Sequence, residues 1–295
     1  MDPIAFTAVI VLLLLVMGGV IFPIWVAKTV NHRPKRTFVD DYFITPFELQ
    51  VPFENIEFKT FDGVTLRGWW MPGTNRHVIL GCSGKDGTKD DLIGIGSALW
   101  RAGYSVLLFD CRDRGESDQA RRTMGFIEQL DAEAAISYAK NRKPDARLGM
   151  LGFSMGAVLA ILAAAVDDAV QAVVADSPFT SLDQLVGGRL KAKHIPALPL
   201  MPVVNFWNKV LYGYSLQAVR PLDLVSRISP RPILVIHGEK DTLIPLSSAK
   251  QIYAHAGEPK YFWQVRGADH CGAYFADRKT YMEKVTAFFL EALIE

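Results

Sequence analysis

Cysteine is scarce in this sequence. Three cysteines occur among 295 residues, and three cannot all pair within one chain. No Cys-x-x-Cys motif and no Cys/His spacing typical of a zinc site is present. These absences argue against a fully disulfide-paired chain and against a structural zinc domain. Reduced thiols are the simpler interpretation, and they fit a reducing compartment.

Net charge is nearly absent as well. The chain has 32 lysines and arginines against 31 aspartates and glutamates, so no overall field favours nucleic acid or another strongly charged partner. It also lacks a basic stripe interleaved with aromatics, internal repeats and low-complexity tracts. What is present is a chain with 50% hydrophobic residues, long enough for one large α/β domain and an appendage.

The amino terminus contains the longest stretch without an ionisable side chain, residues 3–27. A bilayer core is spanned by about 20 apolar residues. A cleaved signal peptide would need a positive leading segment, a shorter apolar core and a small-residue cleavage site, and a buried soluble helix is the other alternative. The sequence favours an uncleaved transmembrane anchor at residues 1–30, followed by a juxtamembrane linker at 31–50.

Charge around this stretch predicts its orientation. Asp2 precedes it, whereas Lys28, Arg33, Lys35 and Arg36 follow it. Positive residues tend to stay on the cytoplasmic side of a span. We therefore expect a single-pass membrane protein with its large domain in the cytoplasm.

From about residue 51 onward, strand-like and helix-like segments alternate, which indicates a mostly parallel sheet covered on both faces. Asp62-Gly63 is a tight-turn signal and predicts an opening hairpin of residues 55–60 and 64–71. Six short apolar runs predict the remaining strands: 78–82, 106–109, 148–153, 170–175, 233–236 and 261–265.

The interval 179–227 is too long for an ordinary connection between a helix and a strand, and it predicts a cap insertion. Its middle, residues 195–214, mixes proline and glycine with large apolar side chains. These side chains either pack the cap onto the core, or line an apolar substrate pocket or touch a bilayer surface. The two interpretations are compatible.

The most informative motif is Gly152-Phe153-Ser154-Met155-Gly156. It follows a strand-like run and opens an apolar helix-like run, which is the context of a nucleophile elbow. Such a turn holds the serine in a strained backbone conformation, and its flanking residues must be small to avoid neighbouring chain. Ser154 is therefore the candidate nucleophile.

A serine hydroxyl needs a base, and the base needs a third group that orients it. In the elbow architecture the order along the chain is serine, acid, histidine. Asp241 and His270 follow two predicted strands in this order, so they are the candidate acid and base. His237 is the serious rival for the base, and Asp176 is a credible substitute for the acid.

Attack on a carbonyl creates an oxyanion, which needs preorganised donors. The backbone N–H after the nucleophile, that of Met155, is one candidate. The second donor should come from the loop after the strand at 78–82, where the Lys85 amide has glycine nearby on either side.

These segments resemble the α/β-hydrolase superfamily over residues 51–295. The chain is most similar to single-span, membrane-anchored serine hydrolases of the Bem46-like and serine-aminopeptidase-like groups. The resemblance implies an eight-stranded, mostly parallel sheet with helices on both faces, a Ser154, Asp241, His270 triad, and no metal or organic cofactor. The matching segments are 109–117, 152–156, 176–179, 237–241 and 269–270.

Two positions depart from the family pattern. Ser83 stands where such proteins usually have histidine before a glycine, and Asp113 stands where they commonly have glycine. The first departure weakens the assignment of Lys85, and the second affects the loop beside the site.

The sequence thus predicts a membrane-anchored serine hydrolase, carboxylesterase-like or lipase-like, that cleaves carboxylic esters through an acyl-enzyme on Ser154. The anchor and the cap favour a small-molecule or lipid-like acyl substrate. Amide hydrolysis and acyl transfer use the same first half-reaction and stay open. The alternative from another class is a catalytically silent binding module tethered to a membrane.

Overall fold

The computed structural model describes residues 2–32 and 44–293, and an eight-stranded sheet forms the centre of the fold. The prediction of eight strands is confirmed, with boundaries close to those expected. The strands are β1 (Glu54–Lys59), β2 (Thr65–Met71), β3 (Val78–Cys82), β4 (Ser105–Phe109), β5 (Leu148–Phe153), β6 (Val170–Asp176), β7 (Ile233–Gly238) and β8 (Lys260–Val265).

The strand order is β1-β2-β4-β3-β5-β6-β7-β8. The pairs β1–β2 and β2–β4 are antiparallel, and all other pairs are parallel. The last residues of adjacent parallel strands lie side by side: Phe153 pairs with Asp176, and Gly238 pairs with Val265. The loops that follow β5, β6, β7 and β8 therefore leave from one edge of the sheet, where catalytic groups gather in open α/β folds.

Helices account for most of the remaining described chain. They are α1 (Pro3–Val16), α2 (Phe22–Val30), α3 (Ile93–Arg101), α4 (Gln129–Arg142), α5 (Met155–Ala164), α6 (Leu182–Ala192), α7 (Ala197–Tyr212), α8 (Pro221–Leu224), α9 (Leu246–His255), α10 (Ala273–Ala276) and α11 (Arg278–Leu293). A π-helical segment, Met17–Ile21, joins α1 to α2.

The central helix α5 is apolar on every face, and all ten of its residues are buried. A helix with this composition belongs inside a large core rather than at a surface. The parallel strands β3, β4 and β5 are buried along their whole length for the same reason, since both faces of the sheet are covered.

The chain divides into two compact units. The core unit holds the sheet and consists of Pro34–Thr180 and Pro221–Glu295. The other unit, here called the anchor–cap unit, joins the N-terminal helices to the segment Ser181–Arg220, which lies inside the predicted cap. Of the predicted linker at 31–50, residues 33–43 lie outside the described residues, and Pro46–Gln50 form a turn.

The anchor–cap unit was not anticipated as a unit. The predicted anchor is helical, and within it Phe6–Val30 is long and apolar enough to cross a membrane. Its second helix, α2, packs against α7 of the cap segment. Their contact contains a buried polar cluster in which the side chains of Asn31 and Asn208 hydrogen bond at 2.9 Å, and the Tyr214 hydroxyl donates to Asn31 Oδ1 at 2.9 Å.

Candidate active site

Ser154 occupies the turn between β5 and α5 with φ +53° and ψ −112°. A non-glycine residue with this φ is strained. A Cβ at Gly152 would collide with the Gly156 carbonyl, and a Cβ at Gly156 would collide with the Cys82 carbonyl. The expected steric reason for both glycines is therefore confirmed. The Ser154 amide donates to the Asp176 carbonyl at 2.8 Å, which ties the turn to the neighbouring strand.

Asp241 and His270 meet at the same edge of the sheet. His270 Nδ1 lies 2.8 Å from Asp241 Oδ2. An ionised carboxylate only accepts hydrogen bonds, so Nδ1 carries the proton and the other ring nitrogen, Nε2, is left as the basic atom. The second carboxylate oxygen of Asp241 accepts from the amides of Leu243 and Ile244 at 2.9 and 2.8 Å, which fixes its orientation.

Backbone contacts hold the acid loop against the histidine loop. The Lys240 amide donates to the Ala268 carbonyl at 2.8 Å, and a Cβ at Gly238 would crowd that same carbonyl. The Asp269 carboxylate accepts from the amides of Thr242 and His270 at 2.9 and 2.8 Å. These backbone donors keep the pKa of Asp269 below its usual value. The hydrogen bonds between the loop after β7 and the loop after β8 thus set the distance from Asp241 to His270.

His237, the rival candidate for the base, lies under the acid loop. Its side chain is completely buried, and Nε2 lies 2.9 Å from the Ile244 carbonyl and 3.3 Å from Asp241 Oδ2. Burial lowers its pKa and favours the neutral ring. The structure therefore places His237 as a support for the acid, without access to a substrate. Sequence reasoning had noticed this histidine but had not foreseen that role.

Asp176, the substitute acid, binds other partners. Its carboxyl oxygens contact the Ser177 hydroxyl at 2.9 Å and the Tyr281 hydroxyl at 3.1 Å. Burial raises its pKa to about 7, even though these two hydroxyls and nearby His270 act in the opposite direction. Ser177 Oγ also accepts from the Cys271 amide at 3.2 Å. Asp176 and Ser177 thus form a bridge between the serine turn and the histidine loop.

Among the hydrogen bonds of the described residues, none joins the Ser154 hydroxyl to the His270 ring. Ser154 is 9% exposed and the His270 side chain 16% exposed, so both border solvent at this edge. Catalytic hydrogen bonds are often long before a substrate binds and tighten in the reacting complex. The hydrogen bond between Asp241 and His270 is present in the structure, and the catalytic roles of these residues and their link to Ser154 stay predictions.

The two candidate oxyanion donors, the amides of Met155 and Lys85, belong to the start of α5 and to the loop after β3. Met155 is the first residue of α5, where backbone N–H groups have no acceptor within the helix. The loop after β3 reaches Ser154 at Gly84, where an added Cβ would lie 3.8 Å from Ser154 Cβ. The next residue, Lys85, turns its carbonyl to two guanidinium groups: Arg114 Nε donates to it, and Arg122 donates at 2.9 Å.

The loop after β4 supplies these buried charges. Arg114 is 4% exposed and lies 3.2 Å from the fully buried carboxylate of Glu128. Burial raises the pKa of Glu128, but Arg114 and Thr123 outweigh that effect and lower it. Asp113, where the family resemblance implies a glycine, adopts φ +57°, a conformation that aspartate tolerates better than most residues.

The three cysteines are free thiols. Cys271 follows the candidate base directly, but burial raises the pKa of its thiol, which disfavours the thiolate that a cysteine nucleophile needs. Burial also raises the pKa of Cys82 to about 12. Within the ranges 2–32 and 44–293, no group of three or more His, Cys, Asp and Glu side chains is arranged to hold a metal ion.

Comparison with known proteins places this geometry in a family. The model of the family described as "Serine aminopeptidase, S33" matches residues 73–227, more than half of the chain. YqkD of Bacillus subtilis, an uncharacterized protein, is 34% identical over 190 residues, which is 63% of this chain and 62% of that protein. Rv2307c of Mycobacterium tuberculosis, also uncharacterized, is 28% identical over 293 residues, 97% of this chain and 95% of that protein.

Among solved structures, the Pyrococcus furiosus esterase Pf2001 superposes with a TM-score of 0.72 at 24% identity. The superposition covers 89% of this chain and 100% of that one. At this identity the likeness concerns the fold, and it extends over nearly the whole chain. The match to the family model and the eight-stranded sheet with its serine turn lead to one conclusion: this chain belongs to the serine aminopeptidase (S33) family of α/β-hydrolases.

Proposed function

We propose that this protein is a membrane-anchored serine hydrolase that cleaves carboxylic esters through an acyl-enzyme. The observation that carries the proposal is the 2.8 Å hydrogen bond from His270 to Asp241, at the sheet edge where strained Ser154 is held. A histidine that is hydrogen bonded to a carboxylate can take the proton of a serine hydroxyl that lies at the same edge of the sheet. The likeness in fold to Pf2001, an esterase, supports ester over amide substrates.

The reaction follows from the geometry. Ser154 Oγ attacks the ester carbonyl carbon while His270 Nε2 takes the hydroxyl proton, and Asp241 stabilises the resulting imidazolium. The amides of Met155 and Lys85 donate to the oxyanion. When the intermediate collapses, the C–O bond to the alcohol breaks and the alcohol takes the proton from His270. Water then attacks the acyl group with His270 as base, which releases the carboxylic acid and restores Ser154.

The N-terminal helix is part of this proposal. Asn208 and Tyr214 are buried and hydrogen bond to Asn31, the residue at the end of α2. Removal of residues 1–31 by a signal peptidase would expose or orphan these groups, at a cost of about 1–3 kcal/mol for each polar group left buried without a partner. We therefore favour a retained anchor, with the core unit in the cytoplasm as the positive residues after the span indicate.

The test uses the full-length protein in detergent, short-chain p-nitrophenyl esters and a fluorophosphonate probe. Ser154→Ala should lower kcat by at least about 10³-fold and abolish labelling, because removal of a triad nucleophile leaves only residual catalysis. Ser226→Ala, a change at an exposed serine in the short 3₁₀ helix Val225–Ile228, should behave as the parent protein.

Three outcomes contradict parts of the proposal. Unchanged turnover in Ser154→Ala would show that another residue is the nucleophile. A parent protein that neither labels nor turns over any ester would indicate the catalytically silent binding module. Faster cleavage of aminoacyl amides than of matched esters, or transfer of the acyl group to an added alcohol in preference to water, would reassign the reaction on the same triad.

A further inference from the structure

The outer face of α7 is apolar and uncovered. Leu198, Pro202, Phe206 and Val210 follow one another at four-residue steps, which places them on one face of the helix. Leu198 is 88% exposed, Phe206 58% and Val210 57%. A continuous apolar helix face in water is unusual for a soluble domain and generally marks a surface that something else covers.

The opposite face of α7 is joined to the N-terminal helix. Trp207 Nε1 donates to the Gly19 carbonyl at 3.0 Å, and Asn208 Oδ1 accepts from Asn31 at 2.9 Å. Gly19 belongs to the π-helical segment between α1 and α2, in the apolar run itself. The position of α7 relative to the apolar run is therefore fixed at two points twelve residues apart.

These two points set the depth of α7 in a bilayer. At about 1.5 Å per residue, residues 3–22 cover the roughly 30 Å of a hydrocarbon core. Residues 23–30 then cross about 12 Å of the headgroup region. Since α7 packs on Phe22–Val30 and also reaches Gly19, it lies where the span leaves the core. Trp25, 53% exposed on α2, is an aromatic residue of the kind enriched at this level.

Charge identifies the kind of lipid surface. The cap segment Ser181–Arg220 has five lysines and arginines and a single acidic residue, Asp183, in a chain that is almost neutral overall. Lys191 and Lys193 are exposed at the end of α6, directly before α7, and Lys209 is exposed on α7 itself. Each basic residue near an anionic leaflet contributes about 1 kcal/mol of attraction. Apolar side chains beside exposed lysines are the pattern of an interfacial amphipathic helix.

We infer that α7 lies along the surface of an anionic bilayer, with Leu198, Phe206 and Val210 inserted at the boundary between headgroups and acyl chains. The anchor–cap unit then contacts lipid through two elements: a span that crosses the core, and a helix that rests on the leaflet where the span emerges. The inference rests on the membrane anchoring proposed above and is independent of the ester chemistry.

The experiment measures depth with an environment-sensitive NBD label in full-length protein reconstituted into phosphatidylcholine/phosphatidylglycerol vesicles. Cysteine is introduced singly as Leu198→Cys, Phe206→Cys, Leu13→Cys or Gln217→Cys, and the parent protein shows how far the native cysteines react. Leu13 reports the span, and Gln217 is an exposed polar position of the same cap segment. Shallow and deep doxyl-labelled lipids serve as quenchers.

Labels at 198 and 206 should fluoresce at least about 2-fold more strongly than the label at 217, as expected for a helix at the acyl boundary. They should be quenched best by shallow doxyl groups and should lose part of this quenching in vesicles of phosphatidylcholine alone. The label at 13 should be quenched best by deep doxyl groups.

Each contrary result has a separate meaning. The inference is overturned, with the anchor left intact, if labels at 198 and 206 fluoresce as weakly as the label at 217 while the label at 13 is quenched best by deep doxyl groups. Labels at 198 and 206 that are shielded but not quenched by lipid also overturn it, because a protein partner or a second copy then covers the face. A label at 13 that no lipid quenches overturns the anchoring itself, and the inference with it.

Discussion

The core unit and the anchor–cap unit place polar and apolar residues in opposite ways. In the core unit the large apolar side chains are inside, and the polar groups buried among them include ion pairs such as Arg114 with Glu128. In the anchor–cap unit the apolar side chains of residues 9–17 and of one face of α7 (Leu198, Phe206 and Val210) are exposed. Its buried polar cluster consists of neutral amides and a phenol, Asn31, Asn208 and Tyr214.

The difference is the one that the proposed membrane anchoring predicts. Apolar surface is buried when the surroundings are water, and this driving force disappears where the surroundings are hydrocarbon. In lipid, helices associate through close packing and hydrogen bonds between polar side chains. The hydrogen bond between Asn31 and Asn208 joins α2 to α7 just beyond the end of the apolar run. The ion pairs of the core unit, in turn, need strong partners because an unpaired buried charge costs several kcal/mol. Three changes, from the largest expected effect to the smallest, probe this contrast.

Arg114→Met should give the largest loss of stability. It leaves the Glu128 carboxylate buried without its cation, and removal of one partner of a buried pair costs about 3–5 kcal/mol. The unfolding temperature of the full-length protein in detergent should fall sharply, and kcat should fall with it, since the Lys85 carbonyl loses a donor. Arg121→Met, at an exposed neighbouring position, is the matched control and should change neither quantity.

The double variant Arg114→Met with Glu128→Met sharpens the interpretation. Replacement of a whole buried pair by apolar side chains is often neutral or stabilising. Stability should therefore return toward that of the parent, whereas kcat should stay low because the Lys85 carbonyl still lacks one of its two guanidinium donors. If the single variant were as stable as Arg121→Met, charge pairing would not be what holds this region.

The effect of Asp176→Asn on stability should depend on pH. Burial raises the pKa of Asp176 to about 7 from an ordinary value near 3.8, so the folded protein holds this proton more tightly than the unfolded chain does. The contribution of this carboxyl to stability is complete below pH 4 and is lost as pH rises through 7. Asparagine does not titrate, so the variant should gain stability relative to the parent between pH 4 and 8, by at most about 4 kcal/mol.

Asp269→Asn is the control, because its effect on stability should change with pH in the opposite direction. Backbone donors lower the pKa of this exposed carboxyl, so its contribution is present above pH 4 and is lost as pH falls. Thermal unfolding of Asp176→Asn at pH 5 and pH 8, and of Asp269→Asn at about pH 3 and pH 5, measures the two slopes against the parent protein. Slopes of the same sign would mean that burial does not govern the titration of Asp176.

Much of this architecture could be predicted because it depends on patterns among residues that are close in sequence. Short apolar runs flanked by turn residues marked the strands, and the elbow motif with its glycines marked the turn at Ser154. Asp241 and His270 could be proposed because parallel strands deliver the loops that follow them to one edge. Their hydrogen bond is present in the structure, and their catalytic roles stay predictions.

The contacts that were missed are distant in sequence. Arg114 is paired in the interior, whereas Arg121 is exposed. The two are the same residue type seven positions apart, and only the fold decides which of them is buried. Asn31 and Asn208 are separated by 177 positions, so the joining of the anchor to the cap segment could not be foreseen. The support that His237 gives Asp241 depends on an acid loop that folds back over the end of β7.

Asn208→Leu should have the smallest of the three effects, and a local one. Asn208 donates to the Tyr214 carbonyl at 2.8 Å and accepts from Asn31, so leucine removes one hydrogen bond from each of these two buried residues. The cost is about 1–3 kcal/mol. Because the cluster lies within the anchor–cap unit, hydrogen exchange should quicken in α7 and α2, while the unfolding temperature of the core unit should stay close to that of the parent.

Two further variants decide what this change means. Gln217→Leu adds the same side chain at an exposed position of the cap segment and should leave exchange unchanged. Asn31→Leu with Asn208→Leu removes both amides but also takes the Asn31 acceptor from the Tyr214 hydroxyl, so exchange in α7 should be at least as fast as in Asn208→Leu alone. If Asn208→Leu instead lowered the unfolding temperature of the core unit as far as Arg114→Met does, the two units would unfold as one, and the contrast between charged and neutral interiors would not reflect two separate solvents.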